Sequence, residues 1–288
     1  MALTMWVAGA RPKTLPAAIA PVLVGTALRH KDHAHINLLN GALALIVSVA
    51  LQVGVNYAND YSDGIRGTDD NRVGPVRLVG SGLASAKAVR NAAALTFLFA
   101  ASVGLFLSAR TSWWLVALGA IAIFAAWGYT GGKNPYGYRG LGEVSVFLFF
   151  GVAATVGSYA VQSGHISWHS ILLSLPIGAL ACAILAINNL RDLPKDALVN
   201  KRTVAVRLGN QRARIALIAL LTAAHLSAIA AAIITPWALA TLLLLPISLM
   251  ISRSIQDGAI GPELIPLLGK VGRLHLLLST TLAIALLV

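Results

Sequence analysis

Long hydrophobic runs, separated by short polar segments, extend along almost the whole chain. A helix needs about 20 mainly apolar residues to cross ~30 Å of hydrocarbon. On that length scale the pattern predicts about nine transmembrane helices. They lie near residues 15–29, 38–59, 90–108, 113–131, 142–162, 169–189, 213–234, 237–252 and 272–288. The first, eighth and ninth are short or interrupted by Pro and Gly, so the pattern defines their ends least well.

The composition supports the same class of protein. Apolar residues make up 57% of the chain and charged residues 11%, and the mean hydropathy is +0.78, all outside the usage of soluble domains. We therefore predict an all-α polytopic membrane protein with a single domain over residues 1–288. Cys182 is the only cysteine, which excludes an intrachain disulfide and a Cys-based metal site. The residues before the first span lack a signal-type apolar core, so no cleaved signal peptide is expected.

Basic residues fall mainly on one side of this topology and explain the net charge of +12. Only Arg29, Lys31 and Arg110 fall on the other side. Because basic loops stay in the cytoplasm, we predict a multi-pass protein of the cell membrane with a cytoplasmic amino terminus. The cations are spread over alternate loops and not along one stripe with aromatics, so nucleic-acid binding is not expected.

Two polar segments stand out where the second and sixth hydrophobic runs end. Each has an Asn, an Asp four residues later, and a second Asp three or four residues after that. They are the first acidic segment, Asn56, Asp60 and Asp63, and the second acidic segment, Asn188, Asp192 and Asp196. Residues at these spacings share one face of a helix. The pattern therefore predicts two oxygen-rich helix ends on the cytoplasmic side, in two similar helical halves.

Facing carboxylates repel one another unless a cation lies between them. Carboxylate and amide oxygens suit Mg²⁺, which commonly bridges a few carboxylates to phosphate oxygens. We therefore predict a Mg²⁺ site, held by Asp60, Asp63, Asp192 and Asp196, that receives a diphosphate. For any one of these residues the alternative is a helix cap or a solvated loop.

Basic residues follow each acidic segment and suit the diphosphate charge that a metal leaves unneutralised. They are Arg66, Arg72 and Arg77 after the first segment, and Lys201, Arg202 and Arg207 after the second. Each serves equally well as an ordinary positive-inside residue, and that alternative stays open.

The two segments closely resemble the signature segments of UbiA-superfamily intramembrane prenyltransferases. The matching stretches read Asn56-Tyr-Ala-Asn-Asp60-Tyr-Ser-Asp63-Gly-Ile-Arg-Gly-Thr-Asp69-Asp70 and Asn188-Asn-Leu-Arg-Asp192-Leu-Pro-Lys-Asp196. Within that superfamily, the opening residues 10–25 and the pattern Asp60-x-x-Asp63-Gly64-x-x-Gly67-x-Asp69 look like the branch that prenylates 1,4-dihydroxy-2-naphthoate. The resemblance runs along nearly the whole chain.

The resemblance implies an enzyme of menaquinone biosynthesis. It would transfer a polyprenyl group from polyprenyl diphosphate to 1,4-dihydroxy-2-naphthoate, with loss of CO₂ and diphosphate, to give demethylmenaquinone. The implied fold is a ring of nine helices around a central cavity that opens sideways to membrane lipid, and the implied cofactor is Mg²⁺. An acceptor of the 4-hydroxybenzoate, haem or tocopherol type would need the same diphosphate machinery.

The resemblance also bears on residues outside the acidic segments. It places Tyr129 and Lys133 near the prenyl diphosphate, whereas Tyr136 and Tyr138 suit an interfacial aromatic role equally well. Glu143 is a candidate proton acceptor or a helix N-terminal charge. The predicted substrate-binding residues are Lys13, Asn56, Arg66, Tyr129, Lys133, Asn188, Lys201 and Arg202. Arg11 and Lys13 suit the naphthoate carboxylate, a phosphate, or simply topology.

Three competing interpretations remain. Asp60-x-x-Asp63-Gly64 also opens the CDP-alcohol phosphotransferase signature, although the chain departs from the rest of that signature. A transporter is the non-enzyme alternative, because intramembrane acids often mark ion paths. His30, His33 and His35 lie near Asp32 at a spacing that zinc sites use, and a solvated loop is the favoured interpretation there.

Overall fold

The computed structural model describes residues 2–33, 35–68 and 76–288, and that part of the chain is helical, without strands. The helices are α1 Ala2–Gly9, α2 Pro16–His33, α3 Leu38–Ile65, α4 Ala86–Arg110, α5 Trp114–Gly128, α6 Gly142–Val146, α7 Ala154–Ser163, α8 Trp168–Leu198, α9 Val204–Ala230, α10 Leu245–Gln256 and α11 Leu264–Leu287. A π-helical stretch, Phe147–Ala153, joins α6 to α7, so the three form one continuous rod. The predicted all-α membrane class is confirmed.

Seven helical rods in the described part of the chain are long and apolar enough to cross a membrane, which makes the predicted count of nine too high by two. The α5 helix has only 15 residues, or about 22 Å at 1.5 Å per residue, which is less than ~30 Å of hydrocarbon. The α2 helix ends in the charged stretch that contains Arg29, Lys31 and Asp32. These two helices belong to the bundle, but by length and composition they do not count as membrane-spanning helices.

Side-chain caps explain where several helices begin. An Asn, Ser or Thr at the N-cap accepts a hydrogen bond from a backbone N–H of the first turn, which satisfies a donor that the helix itself cannot pair. The capping residues are Asn37 for α3, Ser85 for α4, Ser167 for α8 and Thr203 for α9. These starts leave both acidic segments in the last turns of α3 and α8.

The α8 helix lies at the centre of the bundle, since 72% of its most apolar stretch is buried. Small residues let its neighbours approach closely. A Cβ added to Gly151 would lie 2.5 Å from the Cα of Gly178 in α8. The second acidic segment therefore stands on the most enclosed helix of the fold.

The end of the bundle opposite the acidic segments holds a separate polar network. The Tyr159 hydroxyl donates to Asp32 at 2.6 Å, and His169 Nδ1 lies 3.8 Å from the other Asp32 oxygen. His30 and His33 belong to the last turns of α2, so the favoured interpretation of a loop was wrong for them. Asp32, in the same turn, has polar partners on α7 and α8.

Candidate active site

A cavity of about 630 Å³ lies within the bundle, bordered mainly by α3, α4, α5, α7 and α8. Most of its wall is apolar. Several polar side chains of the wall lie near the acidic end, and they include Arg11, Thr14, Gln52, Asn59 and Tyr129. Among the described residues that line the cavity, Arg11 is the only charged one. The cavity therefore suits a long apolar group with a polar head at one end.

The side of the cavity reaches the outer surface of the bundle between α4 and α5. Leu105 and Phe124 both line the cavity, yet they are 52% and 78% exposed. In a membrane these side chains face lipid, so the wall here is shared between cavity and bilayer. An apolar chain can pass along it at little desolvation cost.

The residues of the first acidic segment are buried, but they point to different partners. Asn56 donates from Nδ2 to the carbonyl oxygen of Ala10 at 2.8 Å and to Thr14 Oγ1 at 3.1 Å. Asp60 is fully buried and accepts backbone N–H groups from Leu78 at 2.8 Å and Val79 at 3.0 Å. Asn56 thus holds the turn before α2, and Asp60 holds the chain that returns after α3.

Asp63 is the carboxylate of the first segment that meets other functional groups. The Tyr138 hydroxyl donates to Asp63 Oδ1 at 2.7 Å, and Arg77 Nη2 lies 3.9 Å from Asp63 Oδ2. Asp63 is 3% exposed. Its charge is therefore held by one hydrogen bond and one nearby cation in a largely desolvated position.

The second acidic segment is neutralised by basic neighbours. Arg191 forms a two-bond pair with Asp192, with 2.8 Å from both Nε and Nη2 to the carboxylate oxygens. Lys201 Nζ lies 3.5 Å from Asp196 Oδ1. Asn188 lines the cavity and donates back to the carbonyl oxygen of Ile184 at 3.0 Å.

Tyr129 directly follows the last residue of α5 and lines the cavity. Burial raises the pKa of its phenol, the Glu143 carboxylate raises it further, and Asp63 and Asp196 contribute smaller amounts. Asn56 and Asn188, which begin the two acidic segments, line the same cavity as Tyr129. Both segments therefore reach the polar end of the cavity.

The carboxylates at the acidic end offer oxygen donors of the kind that a divalent metal binds. In residues 2–33, 35–68 and 76–288, no three His, Cys, Asp or Glu side chains are close enough together to hold an ion. The oxygens of Asp63, Asp192 and Asp196 have the chemistry that Mg²⁺ prefers, and basic side chains or a tyrosine hydroxyl pair with each. These oxygens are of the type that Mg²⁺ binds. For the metal to enter, the carboxylates must either release their present partners or bind the metal and the partner together.

The loop between α5 and α6 closes over the acidic end. The Arg66 guanidinium donates to the carbonyl oxygens of Thr130 and Gly132. Thr130 in turn donates to Asn59 Oδ1 at 2.7 Å. Arg66, predicted to bind substrate, therefore anchors this loop to the end of α3.

Several predicted residues lie away from the cavity wall. Lys13, Lys133 and Arg202 are exposed, and none of them lines the cavity. Arg72 and Asp69, which also figured in the sequence pattern, lie outside the described residues. The predicted roles of these residues stay predictions.

A family model described as the UbiA prenyltransferase family matches residues 18–258. The chain belongs to this family. It is 47% identical over 281 residues to the 1,4-dihydroxy-2-naphthoate octaprenyltransferase of Mycobacterium tuberculosis, covering 98% of this chain and 96% of that protein. The family resemblance inferred from the acidic segments is confirmed.

Solved structures of UbiA homologues share the fold. The apo structure from Aeropyrum pernix K1 has a TM-score of 0.74 at 16% identity and covers 95% of this chain and 98% of its own. A homologue from Archaeoglobus fulgidus, bound to GPP and Mg²⁺, has a TM-score of 0.71 at 13% identity and covers 98% of this chain and 99% of its own. At these identities the likeness establishes the UbiA fold.

The structure adds residues that sequence reasoning did not place in this UbiA site. Tyr138 contacts Asp63, and Arg191 pairs with Asp192. Asn189 donates to Glu143 Oε1 at 3.0 Å, while Glu143 Oε2 is buried and has no hydrogen-bond partner among the described residues. Only Arg191 carried a usable sequence signal, because it directly precedes a predicted ligand.

Proposed function

We propose that the protein transfers a polyprenyl group from polyprenyl diphosphate to 1,4-dihydroxy-2-naphthoate, releasing diphosphate and CO₂ and giving demethylmenaquinol, the reduced form of demethylmenaquinone. The observation that carries this proposal is the cavity, whose long apolar wall ends at Asn56 and Asn188, the first residues of the two acidic segments. The 47% identical relative named 1,4-dihydroxy-2-naphthoate octaprenyltransferase supports the same reaction, and so does membership of the UbiA prenyltransferase family.

The diphosphate head is proposed to lie at the acidic end, with the prenyl tail along the apolar wall. Asp63, Asp192 and Asp196 are the proposed Mg²⁺ ligands, and Asp60 supports the segment beside them. When bound, Mg²⁺ neutralises charge that builds on the departing diphosphate. The homologue that binds GPP and Mg²⁺ supports a divalent metal here. Lys201 Nζ lies 3.5 Å from Asp196 Oδ1, so its positive charge is available to neutralise the diphosphate as well.

Breaking the allylic C–O bond leaves a cation that must be kept from water. The mainly apolar wall disfavours water in the cavity, and Tyr129 belongs to the lining of that cavity. An aromatic face attracts a cation through its quadrupole. Tyr129 is therefore proposed to stabilise the allylic cation until the naphthoate ring carbon attacks it.

The acceptor needs one more contact, because it carries a carboxylate into an apolar cavity. Arg11 is the cationic side chain of the cavity lining in the described part of the chain, and it approaches from the side of the α2 turn. An arginine pairs a carboxylate through two parallel hydrogen bonds. We assign Arg11 the role of orienting the naphthoate.

The protein is a multi-pass membrane protein, and its orientation is also part of the proposal. The acidic segments lie at the same end as most of the Lys and Arg, which stay on the cytoplasmic side. We propose that the site opens to the cytoplasm at the cell membrane. Naphthoate then arrives from water, while the prenyl chain remains in lipid.

The test uses purified protein in lipid nanodiscs with radiolabelled polyprenyl diphosphate and Mg²⁺, with and without EDTA. Parallel reactions receive 1,4-dihydroxy-2-naphthoate or 4-hydroxybenzoate. Metal-dependent, decarboxylated prenyl product from the naphthoate alone is the expected result. Product from 4-hydroxybenzoate alone would overturn the acceptor assignment, and no product from either would overturn prenyl transfer.

A further inference from the structure

Tyr138 stands where the two acidic segments meet. It belongs to a short 3₁₀ turn, Tyr136–Arg139, in the loop between α5 and α6. Its hydroxyl donates to Asp63 Oδ1 at 2.7 Å, and its backbone carbonyl accepts the N–H of Arg202 at 2.9 Å. One residue therefore contacts the end of α3 and the chain that follows α8.

The ring of Tyr138 also has two cations beside it. The Arg66 guanidinium carbon lies 5.4 Å from the ring centroid, and Lys201 Nζ lies 5.1 Å from it. Both distances are within the ~6 Å range of cation–π attraction. Lys201 is in turn 3.5 Å from Asp196 Oδ1, so contacts run from Asp63 through Tyr138 to Asp196.

The hydroxyl of Tyr138 acts as a fixed donor. It lies 2.7 Å from Asp63 Oδ1 and 3.5 Å from Thr68 Oγ1. The hydroxyl therefore donates to Asp63 Oδ1, which leaves Oδ2 on the side of Arg77. A carboxylate with one oxygen held in this way presents the other in a fixed direction.

We propose that Tyr138 is a positioning residue that fixes the Asp63 carboxylate for metal binding and couples it, through Lys201, to the second acidic segment. This inference rests on the proposed function, which makes Asp63 and Asp196 metal ligands. Partners that orient metal ligands from the outer shell typically contribute 10- to 100-fold in metal affinity. A purely structural tyrosine would affect stability without changing metal affinity selectively.

The test is a Mn²⁺ titration of the purified, substrate-free protein in nanodiscs, followed by the EPR signal of free Mn²⁺. Tyr138→Phe removes the hydroxyl and keeps the ring, while Tyr138→Leu removes both. Tyr159→Phe is the matched control, because it deletes a tyrosine–aspartate hydrogen bond of 2.6 Å at the opposite end of the bundle. Thermal unfolding of each variant reports whether it is folded.

We expect Tyr138→Phe to weaken Mn²⁺ binding by about 10-fold or more, while Tyr159→Phe binds as the wild type does. Tyr138→Leu should also raise the KM for polyprenyl diphosphate, because Lys201 loses its ring contact. Mn²⁺ affinity of Tyr138→Phe within twofold of the wild type would overturn the inference. A failure of the proposed function would give a different result, because the wild-type protein would then show no prenyl transfer.

Discussion

Arg11 donates a hydrogen bond from Nη2 to the backbone carbonyl of Asn56 at 3.1 Å, which joins the turn before α2 to the first acidic segment. Arg11 itself has positive φ, 53°, a conformation that costs a non-glycine residue free energy. Asn56 stabilises this turn through its bonds to Ala10 and Thr14. Asn56, predicted to bind substrate, thus helps to place the cation Arg11 at the cavity wall.

This relationship predicts a substrate-specific defect in Arg11→Gln. A charged hydrogen bond contributes about 1.5–3 kcal/mol, so we expect the KM for 1,4-dihydroxy-2-naphthoate to rise roughly 10- to 100-fold. The KM for polyprenyl diphosphate should stay near its wild-type value. Steady-state kinetics with each substrate varied in turn measures both.

The control for Arg11 is an acceptor that lacks the carboxylate, 1,4-dihydroxynaphthalene. Wild type and Arg11→Gln should bind this analogue equally, because the group that Arg11 contacts is absent. An equal defect with both acceptors would assign Arg11 to the turn alone and contradict its role in recognition.

Substitution of Asp60 is expected to lower stability as well as activity. Both of its oxygens accept backbone N–H groups, so Asp60→Asn turns an –NH₂ group towards a donor and leaves a buried N–H unpaired. That costs about 1–3 kcal/mol. We expect a lower thermal midpoint for Asp60→Asn in EDTA, where no metal contributes, together with lower activity.

Asp257→Asn is the matched control for Asp60, because Asp257 is exposed at the end of α10. Its midpoint should equal that of the wild type. An Asp60→Asn protein that unfolds like the wild type in EDTA, yet loses activity, would show that Asp60 acts as a metal ligand and not as a brace.

Asp60 also shows which features of the site the sequence predicts and which it does not. The end of a hydrophobic run placed Asp60 and Asp63 at a helix terminus, because helix periodicity is local. Their partners are not local: Asp60 bonds to Leu78 and Val79, and Asp63 bonds to Tyr138. Those contacts depend on the path of two loops, which periodicity does not describe.

The two segments share the same Asn-to-Asp spacing, but their first aspartates have different partners. Asp60 aligns with Asp192, yet Asp60 is fully buried against backbone amides while Asp192 pairs with Arg191. Spacing reports which residues share a helix face, and the neighbouring elements decide what each residue meets. The family, the class of fold and the position of the acidic end were predictable, whereas the individual partners were not.

Helix packing gives a prediction of stability. A Cβ at Gly25 would meet the carbonyl oxygen of Thr155 at 2.5 Å and the N–H nitrogen of Tyr159 at 2.9 Å. Gly25→Ala must therefore push α2 away from α7, and overpacking of this kind costs about 1–3 kcal/mol. We expect a lower thermal midpoint in detergent.

Gly269→Ala is the contrasting change, since nothing lies within 4 Å of the added Cβ. Gly269 is inside α11, where Ala is favoured over Gly by about 1 kcal/mol. Its midpoint should equal or exceed that of the wild type. A decrease of the same size in both variants would mean that the α2–α7 contact is not the cause.

The Tyr138 phenol predicts a dependence of stability on pH. Burial, and then Asp63, raise its pKa in the folded protein above the unfolded value of about 10. Below that unfolded value the phenol is protonated in both states, and its contribution to stability is fully present. As the pH rises further, the unfolded chain releases the proton first, so the contribution is progressively lost. The wild-type thermal midpoint should therefore fall more steeply above about pH 10 than that of Tyr138→Phe, while below it the difference between the two proteins should stay constant. If the two proteins gave parallel curves across the alkaline range, the Tyr138 phenol would have the same pKa in the folded and unfolded chain. Its hydrogen bond to Asp63 would then not stabilise the protonated phenol.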